Sequence, residues 1–434
     1  MGIKIRNPVL CSLTIEGFKA HFEPQKLELR PLTVLAGANS SGKSSAMQAL
    51  LLLKQTIDAM PLDTGGLKLD RPNVQYTNAA QFLSHEPGKG GTRKEFSLTL
   101  GYSDSTALGV TFRKAAHAVE VASTTYSRGK TSIKLEKSEK PSAHLPQVLP
   151  ELKLADLKEP PSRWASFLIP RLSFALLEDG FSVSMPHIVT QTSQVLQSLM
   201  HIPGSRGNPL RSFPRTVVGY ESPGVFTDLA PAILAEWTSK KGQELEMVNE
   251  SLDSLGITWK AEATVVDAAS IEVRVARTPR PARGRAHDMV NIADVGFGVS
   301  QVLPIVVALI AAKADQLLYI EQPEIHLHPR AVMALADLIA DASRRGVRCI
   351  IETHSDVLLR RLQWNIARED TPLAHTDAVF HWFSRDEHGH TKVASVTPDA
   401  SGAYGDWPVD FAELDAQNAR EYIAAAEKHL PEEE

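Results

Sequence analysis

An α/β fold is predicted for this 434-residue chain: a parallel sheet flanked by helices, an antiparallel β subdomain, and a large inserted mixed helical domain. Three observations predict it. A glycine-rich stretch from Gly37 to Ser44 separates an apolar strand from an apolar-faced helix. Two later runs, 316–320 and 348–352, have continuous apolar centres and alternate with helices, as parallel strands covered on both faces do. Between the two ordered halves, from about 126 to 287, hydrophobic periodicity lapses.

Composition narrows the classes. Lys+Arg number 46 against 51 Asp+Glu, a net charge of −5, so the chain is not basic as a whole, although a local basic patch is compatible with it. Two cysteines, Cys11 and Cys349, exclude a disulfide scaffold and suit a reducing compartment. No secretory signal follows Lys4 and Arg6. The most apolar stretches, 49–53 and 302–312, fall short of the roughly 20 residues a membrane span needs. A cytoplasmic chain without membrane contact is expected.

Element by element, 10–16 and 27–35 read as strands, 44 to about 60 as a helix, and 96–102, 108–113 and 118–124 as short antiparallel strands. Then come a Lys-rich loop (130–140), a Pro-rich break (141–161), helices at 193–201 and 231–255, and a strand at 265–275. Arg274, Arg277, Arg280, Arg283 and Arg285 follow, interleaved with Pro and Gly as in a loop. A loop at 294–299, a helix at 300–312, the two buried strands, and helices at 331–345 and 356–365 restore the order. Strands at 378–383 and 392–396 and a helix at 411–430 complete it. The expected division is 1–125, 126–287 and 288–434.

Gly37, Ala38, Asn39, Ser40, Ser41, Gly42, Lys43 and Ser44 match G-x-x-x-x-G-K-[ST] in full, with Ser45 following. The glycines let successive N–H groups turn inward on a phosphate, and the helix adds its positive end. In such a cradle Lys43 reaches the β and γ phosphates and Ser44 ligates Mg²⁺. The run Leu317-Leu318-Tyr319-Ile320 ends in Glu321, an acid placed to hold Mg²⁺. The position after it, where a carboxylate would polarise the attacking water, is Gln322, which can orient a water but cannot take its proton. Glu324 could substitute. The second buried strand leads to His354, at a strand tip suited to the γ phosphate or the water. Gly296, Gly298 and Ser300 precede an apolar helix and make a second anion-binding terminus, useful to a facing copy. His326 with His328 and His388 with His390 lack a third ligand, so zinc is not expected.

In this order the four elements resemble ABC-type ATPase heads of the SMC/RecF/OLD group: Walker A at 37–44, a signature-like segment at 296–301, Walker B at 317–321 and an H-loop at His354. The wording of 320–329 is most like the stand-alone bacterial OLD-like branch without a Toprim domain, and Gly405-Asp406-Trp407-Pro408 ahead of Phe411 is similar to some of them. The resemblance covers 10–102 and 291–383. It implies ATP and Mg²⁺, and a homodimer or higher oligomer with Lys43 and Ser44 facing the signature residues Gly298, Ser300 and Gln301 of a second copy. It also implies a basic residue near the nucleotide, Lys19, and a Q-loop residue, Gln81. The signature departs from Leu-Ser-Gly-Gly-Gln. Gln322 stands where the family has glutamate, which implies slow hydrolysis and a long-lived ATP state. No acidic nuclease triplet follows His354, so a nuclease effector would be a separate chain that this one regulates or scaffolds, in phage defence for instance. The alternative is a RecF-like DNA-repair clamp contacting DNA through Arg274 to Arg285. The absence of sustained heptads in 126–287 argues against a long coiled coil.

Overall fold

The computed structural model describes residues 8–59, 66–70, 72–85, 91–116, 118–136, 164–166, 169–170, 187–216, 224–280 and 288–405. In chain order the elements begin with β1 (Leu10–Glu16), β2 (Gln25–Glu28), β3 (Leu32–Gly37) and α1 (Lys43–Asp58). They continue with β4 (Glu95–Tyr102), β5 (Thr106–Lys114), β6 (Val119–Arg128), β7 (Thr131–Glu136), β8 (Trp164–Ser166) and β9 (Ile169–Pro170). Next come α2 (His187–Ser198), β10 (Met200–Ile202), β11 (Phe213–Pro214), α3 (Ala230–Lys240), α4 (Gln243–Ser254), β12 (Ala261–Val265), β13 (Ser270–Ala276) and β14 (Met289–Asn291). The last are α5 (Phe297–Ala311), β15 (Leu317–Glu321), α6 (Pro329–Arg344), β16 (Arg348–Thr353), α7 (Asp356–Ala367), β17 (Ala378–Arg385) and β18 (Thr391–Val396).

The site is positioned by one six-stranded sheet in the order β10-β15-β16-β3-β17-β18, parallel except for the edge strand β18. β3 is buried at all six positions and β16 likewise, which explains the apolar segments Val34–Ala36 and Cys349–Ile351 at their centres. One face packs on α3, α5, α6 and α7 through Val34, Leu318, Ile320 and Ile351. The other, with Leu35, Tyr319, Ile350 and Phe383, packs on α1 and α2. Twelve of the sixteen residues of α1 are buried, because the helix is sandwiched between this sheet and the antiparallel sheet β2-β1-β4-β5-β6-β7. A third sheet, β11-β13-β12 with β14 beside β13, carries α3 and α4 on its inner face.

Several expected elements are corrected. The run 27–35 is two strands in two sheets, split around Pro31, whose ring fixes φ and removes a ladder donor. Residues 131–136, read as part of a Lys-rich loop, form β7, where Ile133 and Leu135 alternate with polar residues behind the turn at Gly129 and Lys130. The helix placed at 193–201 ends at Ser198, and His201 belongs to β10. That strand lies within 126–287 in sequence and pairs with β15 of the site-bearing sheet. The helix 231–255 is two helices, broken where Lys241 takes φ 49°. The strand 265–275 is a hairpin, β12 and β13. The segment 406–434, with its expected helix, lies outside the described residues, as do Arg283 and Arg285.

Candidate nucleotide-binding site

Because β3, β15 and β16 run parallel, their C-terminal ends open on the same edge, where ligands of open α/β sheets bind. β3 delivers the Gly37–Ser44 loop, β15 delivers Glu321 to Glu324, and β16 delivers Glu352 to His354. In register, Glu321 lies opposite Glu352 and Glu352 opposite Leu35. The strand carrying His354 therefore lies between the loop strand and the Glu321 strand.

The loop has the geometry its glycines suggested. Gly37 has φ 147° and Gly42 φ 107°, and a Cβ at either would lie 2.2 Å from Phe383 O or Thr391 Oγ1 respectively. Ser40 adds a third positive φ, 59°. The hairpin β17–β18 braces the loop: Arg385 Nε donates to Ser40 O at 2.6 Å and Thr391 Oγ1 to Ser41 O at 2.8 Å. Buried His21 bonds Gly42 O through Nε2 at 3.0 Å. No sequence pattern pointed to these braces: Arg385 and Thr391 lie 345 and 350 residues from their partners, and His21 lies 21 from Gly42.

Lys43 folds back over the loop, its Nζ 3.0 Å from Gly37 O and 2.7 Å from Ala38 O. Burial lowers its pKa to about 8, against the charges of Glu352 and Glu324. Ser44 Oγ donates to Glu352 Oε1 at 2.6 Å, and buried Tyr319 donates its hydroxyl to Glu352 Oε2 at 2.7 Å. Burial raises the Glu352 pKa, which these two hydroxyls oppose. Sequence reasoning missed Glu352. The available signal was a carboxylate ending a buried strand one residue before Thr353-His354.

Glu321, expected beside Ser44, makes its bonds elsewhere. Its carboxylate accepts from His201 Nε2 at 3.1 Å and from Gly204 N at 3.0 Å. Burial would raise its pKa, but these bonds and Tyr319 outweigh that and hold it below the ordinary value, so it is ionised at neutral pH. Asn73 Nδ2 lies 3.2 Å from His201 Nδ1, which makes Nδ1 the acceptor and Nε2 the N–H aimed at Glu321. Arg206 Nη2 donates to Glu321 O and Gln322 O at 2.9 and 3.2 Å. Among the described residues, its Nε and Nη1 find no partner.

Gln322 sits at φ 42°, its N–H bonded to Glu352 O at 2.7 Å. Its side-chain oxygen is turned to the 203–208 loop, where a Cβ on Gly204 would meet it at 3.2 Å. Glu324 Oε1 accepts from Thr353 Oγ1 at 2.8 Å and from His354 N at 3.0 Å, while its buried Oε2 has no hydrogen-bond partner among the described residues. His354 is half-buried beside Gly37. Burial and the charge of Lys43 keep its pKa below the ordinary value, so it is neutral at pH 7.

The other expected site residues are less central. α5 begins at Phe297, so Ser300 stands one turn inside it, its hydroxyl bonded to Phe297 O at 3.0 Å. Gly298 lies in that first turn. Gln301 is buried and donates to Gly207 O at 3.0 Å, so it is not presented to a facing copy. Lys19 bonds Gln48 at 2.6 Å, one turn along α1 from Ser44, and lies over the Tyr76 ring. Exposed Gln81 accepts from Thr77 N and does not reach the loop. Arg274 pairs with Glu272 and Arg277 with Asp288, while Arg280 lies over Trp259. No metal-binding group of three His, Cys, Asp or Glu occurs among the described residues. Among them, no helix is long and apolar enough to cross a membrane.

Residues 9–163 match the family described as "AAA ATPase domain". Residues 285–360 match the one described as "AAA domain, putative AbiEii toxin, Type IV TA system". The two matches support an ATPase of the AAA type. That type implies a nucleotide and Mg²⁺, and the groups at the strand ends fit them: a phosphate loop with an ammonium, the Ser44 hydroxyl, and the carboxylates of Glu352 and Glu321 close by, oxygen groups of the hard kind that Mg²⁺ takes directly or through water. No curated protein matches the sequence. Solved structures similar to it include an SMC head domain from Thermotoga maritima, with 11% identity, TM-score 0.40, and 90% of this chain and 99% of that one covered. Another is a Pyrococcus furiosus Smc head with an extended coiled coil bound to the C-terminal domain of ScpA, with 12% identity, TM-score 0.46, and 96% and 100% covered.

Proposed function

We propose that this chain binds Mg-ATP at the Gly37–Ser44 loop, hydrolyses it slowly, pairs head-to-head with a second copy around the nucleotide, and thereby regulates or scaffolds a separate effector. The observation that carries the reading is the convergence of Lys43, Ser44, Glu352, Glu324 and His354 at one edge of the parallel sheet.

In this reading Lys43 exchanges its bonds to the Gly37 and Ala38 carbonyls for phosphate oxygens, which the loop N–H groups also meet. Mg²⁺, held by Ser44 with the carboxylate of Glu321 nearby, would supply charge neutralisation for the phosphates. Gln322 can only orient the attacking water, so Glu324 takes its proton through Oε2, and His354 hydrogen-bonds the γ phosphate. Turnover is slow because the acid directly after Glu321 is an amide.

Pairing is supported by the start of α5, where Gly296 leaves the first N–H groups without a side-chain cap and Phe297 is 49% exposed. The family description that names a toxin and a type IV TA system favours an effector-linked role, and we infer a nuclease or similar toxic enzyme on another chain. The test is affinity purification from the native host, comparing wild type with Lys43→Ala. A toxic enzyme recovered near stoichiometry with wild type and depleted with Lys43→Ala supports this reading. Recovery with DNA and repair proteins instead replaces it with a DNA-repair clamp.

A further inference from the structure

We propose that Glu352 is the positioning residue for the metal-binding hydroxyl of this site: by accepting the Ser44 O–H it turns the oxygen lone pairs of Ser44 toward Mg²⁺. This rests on the Mg-ATP reading above and adds to it a residue that the loop motif does not contain.

A serine hydroxyl has one proton and two lone pairs. To ligate a cation through a lone pair it must send its proton elsewhere, and an acceptor already in place removes the cost of finding one. Glu352 Oε1 is that acceptor, 2.6 Å from Ser44 Oγ. The carboxylate cannot swing freely, because Tyr319 holds Oε2 at 2.7 Å and both residues stand on neighbouring buried strands. Glu321 does not compete for this role. It lies one strand further from the loop, with its two oxygens held by His201 and Gly204 N. The two acids thus divide the work, Glu352 orienting the hydroxyl and Glu321 supplying charge at the neighbouring strand tip.

Outer-shell partners of metal ligands typically change metal affinity by about 10–100-fold when removed. The experiment titrates Mg²⁺ into the full chain already holding a non-hydrolysable ATP analogue, read by calorimetry, with nucleotide affinity in EDTA measured alongside. Glu352→Ala should raise the Mg²⁺ concentration for half-saturation about 10–100-fold, a larger change than any in nucleotide affinity in EDTA. Glu352→Gln, which keeps an acceptor oxygen, should retain most of the affinity. On a Ser44→Ala background, Glu352→Ala should add nothing further. If the alanine variant does not fold, Glu352→Met, similar in volume and without an acceptor oxygen, takes its place. Wild-type Mg²⁺ affinity in the acceptor-free variant, or effects of the two substitutions that multiply, would overturn the assignment. A wild-type chain that takes up no nucleotide would instead overturn the Mg-ATP reading on which it rests.

Discussion

Glu324 is the acid of this site that holds a buried oxygen without a partner among the described residues, with its other oxygen fixed by Thr353 and His354 N. A carboxylate so held is oriented and still able to accept a proton. Glu324→Gln should lower kcat by about 10²–10⁴-fold and leave ATP affinity within a few-fold, as phosphate release beside calorimetry would report. Unchanged kcat would send the proton elsewhere. His21 permits a second test. Burial lowers its pKa to about 4, against its bond to Gly42 O. The unfolded chain takes up this proton near pH 6.5 and the folded chain only near 4, so acidification through that window favours unfolding, by on the order of 3 kcal/mol in full. Melting temperature should fall between pH 6.5 and 4, and less steeply in His21→Gln, which keeps a donor but does not titrate. Lys43 and Ser44 were legible because their role is local and spelled by contiguous residues. Glu352, His201 and Arg206 were not, because their roles arise from strand register and from chain folded back over 115 residues or more.

The 203–208 loop is the element that sequence reasoning could not place. It follows β10, bonds Glu321 through Gly204 N, bonds the backbone of Glu321 and Gln322 through Arg206, and receives the Gln301 amide of α5 at Gly207 O. One short loop thereby connects the end of β15 with the first turns of α5. Gln322 is held at φ 42°, a conformation costly for a residue with a Cβ. Arg206→Ala should relax it and lower kcat several-fold more than it weakens ATP binding, in steady-state kinetics beside equilibrium binding. Equal losses in both would mean that the loop serves stability alone. The buried strands and α1, α6 and α7 were readable, because continuous apolar runs and helical periodicity report burial directly. The breaks at Pro31 and Lys241 and the hairpin within 261–276 were not, since each is a change of element whose outcome depends on what receives the chain.

At the scale of the molecule, the account requires an ATP-dependent pair of heads. Phe297, 49% exposed at the start of α5 and packed on the His326 ring, stands where the facing copy would approach. With Glu324→Gln to slow turnover, ATP should double the mass measured by light scattering, and adding Phe297→Asp should keep the chain monomeric while it still binds nucleotide. A pair that forms equally without ATP would remove nucleotide from the coupling. The claim on which the rest depends is that the Gly37–Ser44 loop binds and turns over Mg-ATP. The most direct test is steady-state phosphate release from Mg-ATP by the purified chain beside Lys43→Ala. The account predicts slow, Mg²⁺-dependent release that falls about 100-fold or more in the variant. Release that Lys43→Ala leaves unchanged, or a wild-type chain that neither binds nor hydrolyses ATP, would contradict it.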